Sequence, residues 1–325
     1  MQRPGVGRAC GKVIVVGEHF VLDGAEALAM PLPNFWTEVT WTPSRQPLSI
    51  DSDHSLSAAA ETDALRMLRA AAIHAGISPL GEVVVRSTVP LHRGFGSSAA
   101  LAVAALRAAR QLRDKPEKPG LQADISDAVD DTHDRDDADL IGAARAVENV
   151  VHGSSSGLDP ATAMGDGAVV FRDGKVLARV RPHPSLRDAR WVLCDVGQAP
   201  STGEAIGRAN AARQRMGAEK TAALVARIGA ATQDVIRGLR EGELTFIARG
   251  MRDAASCLEA IDVVDARMRL AMTRSLDAGA LAAKQSGAGL GGATLALAPN
   301  AEIAEIIARH HREANLPTWT LEIAP

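Results

Sequence analysis

A glycine-rich loop runs straight into an alanine-rich helical stretch at Pro90-Leu91-His92-Arg93-Gly94-Phe95-Gly96-Ser97-Ser98-Ala99-Ala100. The residues after it, Ser98 to Leu112, read as a helix, and Glu82 to Arg86 reads as the strand that feeds the loop. A helix N-terminus carries unpaired N–H groups and the positive end of the macrodipole, which makes it a ready anion site. Gly94 and Gly96 permit φ > 0 and let the backbone approach a polyphosphate closely. Ser97 and Ser98 add two hydroxyls, one to cap the helix and one to reach a phosphate or a metal. The segment reads as a nucleotide-phosphate cradle.

Composition limits what can surround such a cradle. The chain of 325 residues is long enough for two domains, and 46% hydrophobic with 23% charged residues is an ordinary globular balance. A net charge of −3 and an aromatic content of 3%, with no Tyr, exclude the basic face and the stacking platforms of a nucleic-acid binder. Cys10, Cys194 and Cys257 stand far apart with no CxxC spacing, so neither a disulfide framework nor a cysteine metal site is expected. The N-terminal apolar run is broken at Glu18 and His19, too early for a signal-peptide core or a membrane span. A cytoplasmic protein with no membrane partner is the expectation.

Along the chain, Lys12 to Val16 and Trp36 to Trp41 read as strands and Leu56 to His74 as a helix. The helix after the loop ends before Asp114-Lys115-Pro116-Glu117-Lys118-Pro119-Gly120, a strong breaker. The run from Asp124 to Asp139 holds eight aspartates and reads as a solvated face. A helix from Asp137 to Val151 leads into His152-Gly153-Ser154-Ser155-Ser156-Gly157-Leu158-Asp159. Ala168–Phe171 and Val176–Val180 form a hairpin through Asp173-Gly174. Arg181-Pro182-His183-Pro184 reads as a domain joint. Beyond it come a strand at Trp191–Val196, one long helical region over Gly203–Arg240, two more helices, and a strand–helix–strand tail at Ala293–Ala298, Ala301–Ala314 and Thr318–Ile323. Strands and helices mix without regular βαβ alternation, which favours α+β.

Two further glycine motifs flank the cradle in sequence. In Gly11-Lys12-Val13-Ile14-Val15-Val16-Gly17-Glu18-His19-Phe20-Val21-Leu22-Asp23-Gly24, a strand carries an ammonium at one end and a carboxylate–imidazole pair at the other. Lysine suits a phosphate or a partner carboxylate as a flexible point charge. Lys284-Gln285-Ser286-Gly287-Ala288-Gly289-Leu290-Gly291-Gly292 contains the Gly-x-Gly-x-x-Gly pattern, but the following residues read as a strand and not a helix, which excludes a dinucleotide fingerprint. Glu148 and Asp159 lie on either side of His152-Gly153. One such carboxylate near a phosphate cradle suits Mg²⁺ and a second suits a hydroxyl proton.

In this order the motifs resemble those of the GHMP small-molecule kinases, and the resemblance covers nearly the whole chain. The continuation Phe20-Val21-Leu22-Asp23-Gly24 and the string His152-Gly153-x-x-Ser156-Gly157-x-Asp159 are similar to the members that phosphorylate mevalonate. The resemblance implies two domains: residues 1–184, like ribosomal protein S5 domain 2 and ATP-binding, and residues 185–325, ferredoxin-like. It implies Asp159 as catalytic base with Lys12 beside it, and Gly94, Gly96, Ser97, Ser98 and Ala99 around the ATP phosphates. Ser98 and Glu148 would hold Mg²⁺. Glu18, His19 and Thr202, the last in Pro200-Ser201-Thr202, would face the acid substrate, and Gly287, Ala288 and Gly289 would close the site. It further implies a homodimer and transfer from ATP to the primary hydroxyl of mevalonate.

The chain departs from the family pattern at Cys10 and Ser155, where Pro is usual, at Leu290, where Gly is usual, and at Phe95, where Leu is usual. Met251-Arg252-Asp253-Ala254-Ala255 lacks the Asn-x-x-His often found there. These positions bear on the substrate, so a sugar or a phosphorylated isoprenoid precursor remains an alternative acceptor. A catalytically silent sensor and a decarboxylating relative are further readings. No role follows from the sequence for His310-His311.

Overall fold

The structure, a computed structural model, describes residues 3–91, 93–114, 132–153, 155–165, 167–197 and 202–323, with the side chains of 132–136 and 202 left out. The breaker from Lys115 onward, Asp124 to Asp131 of the acidic run, and Pro200-Ser201 lie outside the described residues. In chain order the strands are β1 Gly5–Val16, β2 Ala27–Pro47, β3 Ser49–Ser52, β4 Leu80–Ser87, β5 Ala168–Arg172, β6 Lys175–Val180, β7 Arg190–Asp195, β8 Ala282–Ser286, β9 Ala293–Ala298 and β10 Thr318–Glu322. The helices are α1 Ala58–Ala75, α2 Ser97–Arg113, α3 Thr132–His152, α4 Leu158–Ala163, α5 Thr202–Met216, α6 Ala218–Glu241, α7 Leu244–Ala260, α8 Ala266–Asp277 and α9 Ala301–Glu313. The mixture is α+β.

Two compact units, each discontinuous in sequence, divide the chain. The first gathers Met1–Gly11, Leu32–Val89 and Ser97–Gly165; the second gathers Lys12–Pro31, Pro90–Gly96 and Asp166–Pro325.

In the first unit α2 is the central helix. Ala99, Ala100, Ala102, Val103, Ala104, Ala105, Leu106, Ala108 and Ala109 are all buried, so the helix is apolar almost all round, as a helix enclosed by neighbours must be. Alanine makes this possible, because short side chains let α1, α3 and α4 pack close against it. α1 is capped at both ends: Ser57 accepts from Ala60 N–H, and Gly76 takes the left-handed conformation that closes the helix. β4 pairs antiparallel with β2, Thr37 opposite Ser87 through Thr42 opposite Glu82, and parallel with β3.

The second unit is built on a four-stranded antiparallel sheet in the order β10-β7-β9-β8. β8 and β9 are buried along their whole length; β9 is a run of small and apolar residues, whereas β8 buries Lys284 and Gln285 as well. α7 and α8 pack on β8, and α9 packs on β7 and β10. The hairpin of β5 and β6 turns at Asp173 (φ 49°) and Gly174 (φ 77°), two successive positive φ values that match the twist of the flanking strands. His183, in the stretch read as a joint, donates its N–H to Leu239 O (2.7 Å) and caps the short 3₁₀ turn Pro184–Asp188.

Several elements differ from the sequence reading. The single helical region over Gly203–Arg240 is two helices, broken at Gly217, whose φ of 82° ends α5 and precedes α6. β2 is 21 residues long, far more than Trp36 to Trp41. Pro43 falls in the break of register between Thr42 and Pro47, where the ladder with β4 is interrupted and a missing N–H costs no bond to it. β3 and α4 went unrecognised because each is too short for a periodic signal.

Candidate active site

In the first unit the described candidates lie on α2, α3 and α4, three helices that pack on one another. Ser97 opens the helix, and Ser98 and the buried Ala99 complete its first turn, directly after Gly96 in the chain. The Ser98 hydroxyl lies 3.8 Å from Met67 Sδ and is hydrogen-bonded to His152 Nε2 at 3.0 Å. His152 and Glu148 are four residues apart on α3 and share a face. Glu148 is only 5% exposed, and its Oε2 accepts from the Ser155 hydroxyl at 2.8 Å. Ser155 is itself held by its N–H, which donates to Asn149 Oδ1 (2.6 Å). So the serine that replaces the usual proline supplies an orienting hydrogen bond to the carboxylate. Asp159 is half-buried in the first turn of α4, just after Gly157 at φ 97°.

The second unit joins the Gly-Glu-His motif to the last glycine motif. Ser286 Oγ accepts from Ile14 N–H and donates to Ile14 O, both at 3.0 Å. One hydroxyl thereby satisfies both backbone groups of a β1 residue, standing in for a strand neighbour. Four residues on, Glu18 Oε1 accepts from Lys284 Nζ, which also donates to Gln285 O. This ion pair is almost wholly enclosed, Lys284 at 0% and Glu18 at 1% side-chain exposure. Burial pushes the Glu18 carboxyl up and the Lys284 ammonium down from their ordinary values, and each partner's charge opposes the other's shift.

His19 follows at φ 61°, a left-handed conformation unusual for a residue with a side chain. Its Nε2 donates to Ala288 O at 2.8 Å, which leaves Nδ1 as the acceptor. Burial holds its pKa below the usual histidine range, so the ring is neutral at pH 7. The 3₁₀ turn Phe20–Asp23 is anchored by Arg213 of α5, which lies over the Phe20 ring (5.1 Å) and pairs with Asp23 (2.8 Å).

The cradle loop 90–96 belongs to this same unit. Lys12 donates its N–H to Phe95 O (2.8 Å), and its side-chain stem lies along Gly96. A Cβ at Gly96 would stand 2.7 Å from Lys12 Cγ and 2.9 Å from Cε, so any side chain there displaces the lysine. Phe95 is buried edge-on against Trp319 of β10, with ring centroids 5.3 Å apart. The loop also meets the last glycine motif, since a Cβ at Gly287 would lie 3.5 Å from Gly94 Cα. Backbone is therefore packed on backbone.

Lys12, Glu18, His19, Gly94, Gly96, Gly287, Ala288 and Gly289 thus fall in the second unit, and Ser97, Ser98, Ala99, Glu148 and Asp159 in the first. Thr202 opens α5. Sequence reasoning missed the contacts of His152 with Ser98, of Ser155 with Glu148, and of Lys284 with Glu18. The first two had a signal in helical spacing and in short loop length. The third had only a lysine preceding a glycine loop.

Comparison with known proteins places this arrangement. Residues 60–167 match the family described as GHMP kinases N terminal domain, and residues 235–315 match GHMP kinases C terminal, together more than half of the chain. The chain is 26% identical to a mevalonate kinase of Aeropyrum pernix over 93% of this chain and 91% of that one. Among solved structures it is similar to L. major mevalonate kinase in complex with R-mevalonate, at 20% identity and a TM-score of 0.78, covering 99% of this chain and 96% of the other. It is also similar to Streptococcus pneumoniae phosphomevalonate kinase, at 16% identity and a TM-score of 0.73, covering 99% and 100%. At such identities the solved structures establish the fold and nothing finer. The matched N- and C-terminal domains, on an α+β chain, show that this protein belongs to the GHMP kinases, enzymes that transfer phosphate to an alcohol.

Proposed function

We propose that the protein phosphorylates the primary hydroxyl of mevalonate at the expense of ATP, with Mg²⁺, to give 5-phosphomevalonate and ADP. The similarity to curated mevalonate kinases along nine-tenths of the chain carries this reading. The chemistry of the candidate residues suits it. A helix N-terminus with Ser97, Ser98 and Ala99 in its first turn, preceded in the chain by Gly94 and Gly96 at positive φ, suits ATP phosphates. Hard oxygen donors, Ser98 Oγ and the carboxylate of Glu148, suit Mg²⁺, which would supply charge neutralisation on the phosphates.

Asp159 takes the proton of the attacking hydroxyl as its oxygen bonds to the γ-phosphorus and the bond to the β-phosphate oxygen breaks. Lys12 stabilises the charge on the transferring group. His19 offers Nδ1 as an acceptor for a substrate hydroxyl, and Glu18, Thr202 and Gly287 to Gly289 complete the substrate side. Phosphoryl transfer depends mainly on such positioning and charge stabilisation.

The test is product analysis with ATP, Mg²⁺ and a panel of mevalonate, phosphomevalonate, galactose and heptose. Phosphorylation of mevalonate alone is expected. Turnover of another member and not of mevalonate would assign a different acceptor. ATP and mevalonate binding without turnover would assign a sensor, and carbon dioxide release from diphosphomevalonate a decarboxylase. Among the described residues no helix is long and apolar enough to cross a membrane.

A further inference from the structure

The cradle loop has few side chains with which to hold its own position. In Arg93-Gly94-Phe95-Gly96 the two glycines stand at positive φ, 80° and 76°, and only Arg93 and Phe95 offer side chains to grip a neighbour. Both grip the same strand pair of the second unit. Arg93 Nη1 donates to Asp195 Oδ1 (3.2 Å) at the end of β7. Phe95 meets the ring of Trp319 in β10 edge-on, with centroids 5.3 Å apart. β10 runs antiparallel to β7 with Trp319 opposite Leu193. Directly opposed residues share a face of a sheet, as do residues two apart on one strand, so Trp319, Leu193 and Asp195 look the same way. The two-residue spacing of the grips on the loop thus matches the two-residue period of the sheet face that takes them.

The anchors are themselves fixed. The Asp195 side chain is 7% exposed, its Oδ1 also accepts from Gly197 N–H (2.8 Å), and its own N–H donates to Pro317 O (2.9 Å), just before β10. Phe95 is buried, and its O accepts from Lys12 N–H (2.8 Å). The backbone of Gly94 is therefore held between two pins, and Gly96 follows directly on the second.

We propose that Trp319 and Asp195 are positioning residues for the cradle loop: the β7–β10 strand pair clamps Arg93 and Phe95, and so presents the backbone of Gly94 and Gly96 to a nucleotide polyphosphate in one conformation. The inference deepens the kinase reading and rests on it for the nucleotide, while the clamp stands on the geometry of the second unit. Neither anchor is asked to touch the nucleotide. Its effect is on order, since a loop already in place gives up little conformational freedom when an anion binds.

The test uses the full chain with Trp319→Leu, the conservative Trp319→Phe, Asp195→Asn and a control, Leu297→Ala. The control opens a cavity elsewhere in the same sheet, opposite Trp191. Two readings need no turnover: hydrogen exchange at the Lys12 amide, which Phe95 O protects, and the Kd for ADP by titration calorimetry. Trp319→Leu is expected to speed that exchange and to raise the Kd for ADP and the KM for ATP together by about three- to tenfold. The KM for mevalonate should not move. Trp319→Phe keeps a ring against Phe95 and should stay within about twofold of the parent. Asp195→Asn should raise the Kd for ADP by about threefold or more, and Leu297→Ala should lower the melting temperature without moving either reading.

Unchanged Lys12 exchange and ADP affinity in Trp319→Leu would overturn the proposal. So would an equal loss of affinity in Leu297→Ala, the mark of a merely structural role. Where Trp319→Leu fails to fold, Asp195→Asn decides, because its amide oxygen still accepts from Gly197 N–H; parental values there overturn the clamp. A parent that binds no ADP sinks the nucleotide reading, and the proposal with it. A parent that binds ADP but does not phosphorylate mevalonate sinks only the assigned acceptor, and the exchange and affinity readings still judge the clamp.

Discussion

Glu148 in the first unit is held by Ser155, seven residues further along the chain. Glu18 in the second unit is held by Lys284, 266 residues away. The first carboxylate accepts from a neutral hydroxyl whose own residue is partly exposed. The second takes a full charge with both partners shut away from water. In the first, side chains can be exchanged with modest loss of stability, so function and folding are separable. In the second they are coupled, because removing either partner strands a charge.

The largest expected effect breaks the first cluster's function and leaves its fold. Asp159→Asn should lower kcat by about 10²–10⁴-fold, with a change in unfolding free energy of no more than about 0.5 kcal/mol. ADP release and a thermal melt on the same preparation check both halves. In the second unit the balance reverses: Glu18→Leu should cost about 3–5 kcal/mol of stability by leaving Lys284 unpaired, read by urea unfolding.

A pH titration sharpens the contrast. His311 is buried, with Nε2 on Ser275 Oγ at 2.8 Å and Nδ1 without a hydrogen-bond partner among the described residues, and burial lowers its pKa from 6.5 to about 4. The unfolded chain takes up a proton below pH 6.5 and the native state only near pH 4, so stability falls as pH drops through that window. The loss reaches at most roughly 3 kcal/mol, and His311→Leu should flatten the slope seen in unfolding midpoints between pH 7 and pH 4. The smallest effect returns to the first unit. Ser155→Ala should cost about 1 kcal/mol and raise the Mg²⁺ concentration needed for half-maximal activity, with the melt nearly unchanged.

The same contrast explains what could be read in the sequence. Gly94 to Ala100 and the helix that follows were legible because helix periodicity and glycine spacing are local signals. The hairpin at Asp173-Gly174 was legible for the same reason. Ser155 was noticed only as a missing proline, because its hydrogen bond to Glu148 depends on how the loop folds back. Lys284 was invisible as a partner of Glu18, since a lysine is by default an exposed residue and nothing near it in sequence is acidic. The split of α5 from α6 rests on one positive φ at Gly217, which a composition-based reading passes over. Arg213, which anchors the turn after His19, gave no signal beyond being one arginine among many.

The hydroxyl clasp of Ser286 on Ile14 and the ion pair beside it also set a schedule for synthesis. At roughly 5–20 residues per second, Glu18 is made about 13–53 s before Lys284, given the 266 positions between them. Through that interval the apolar strand Val13–Val16 and a carboxylate destined for burial have no native partner from the last glycine motif. Newborn chains released before residue 284 are therefore the form most exposed to aggregation and to chaperones, and a truncation series across residues 270–300 should show protease resistance of the 12–31 segment arriving in one step.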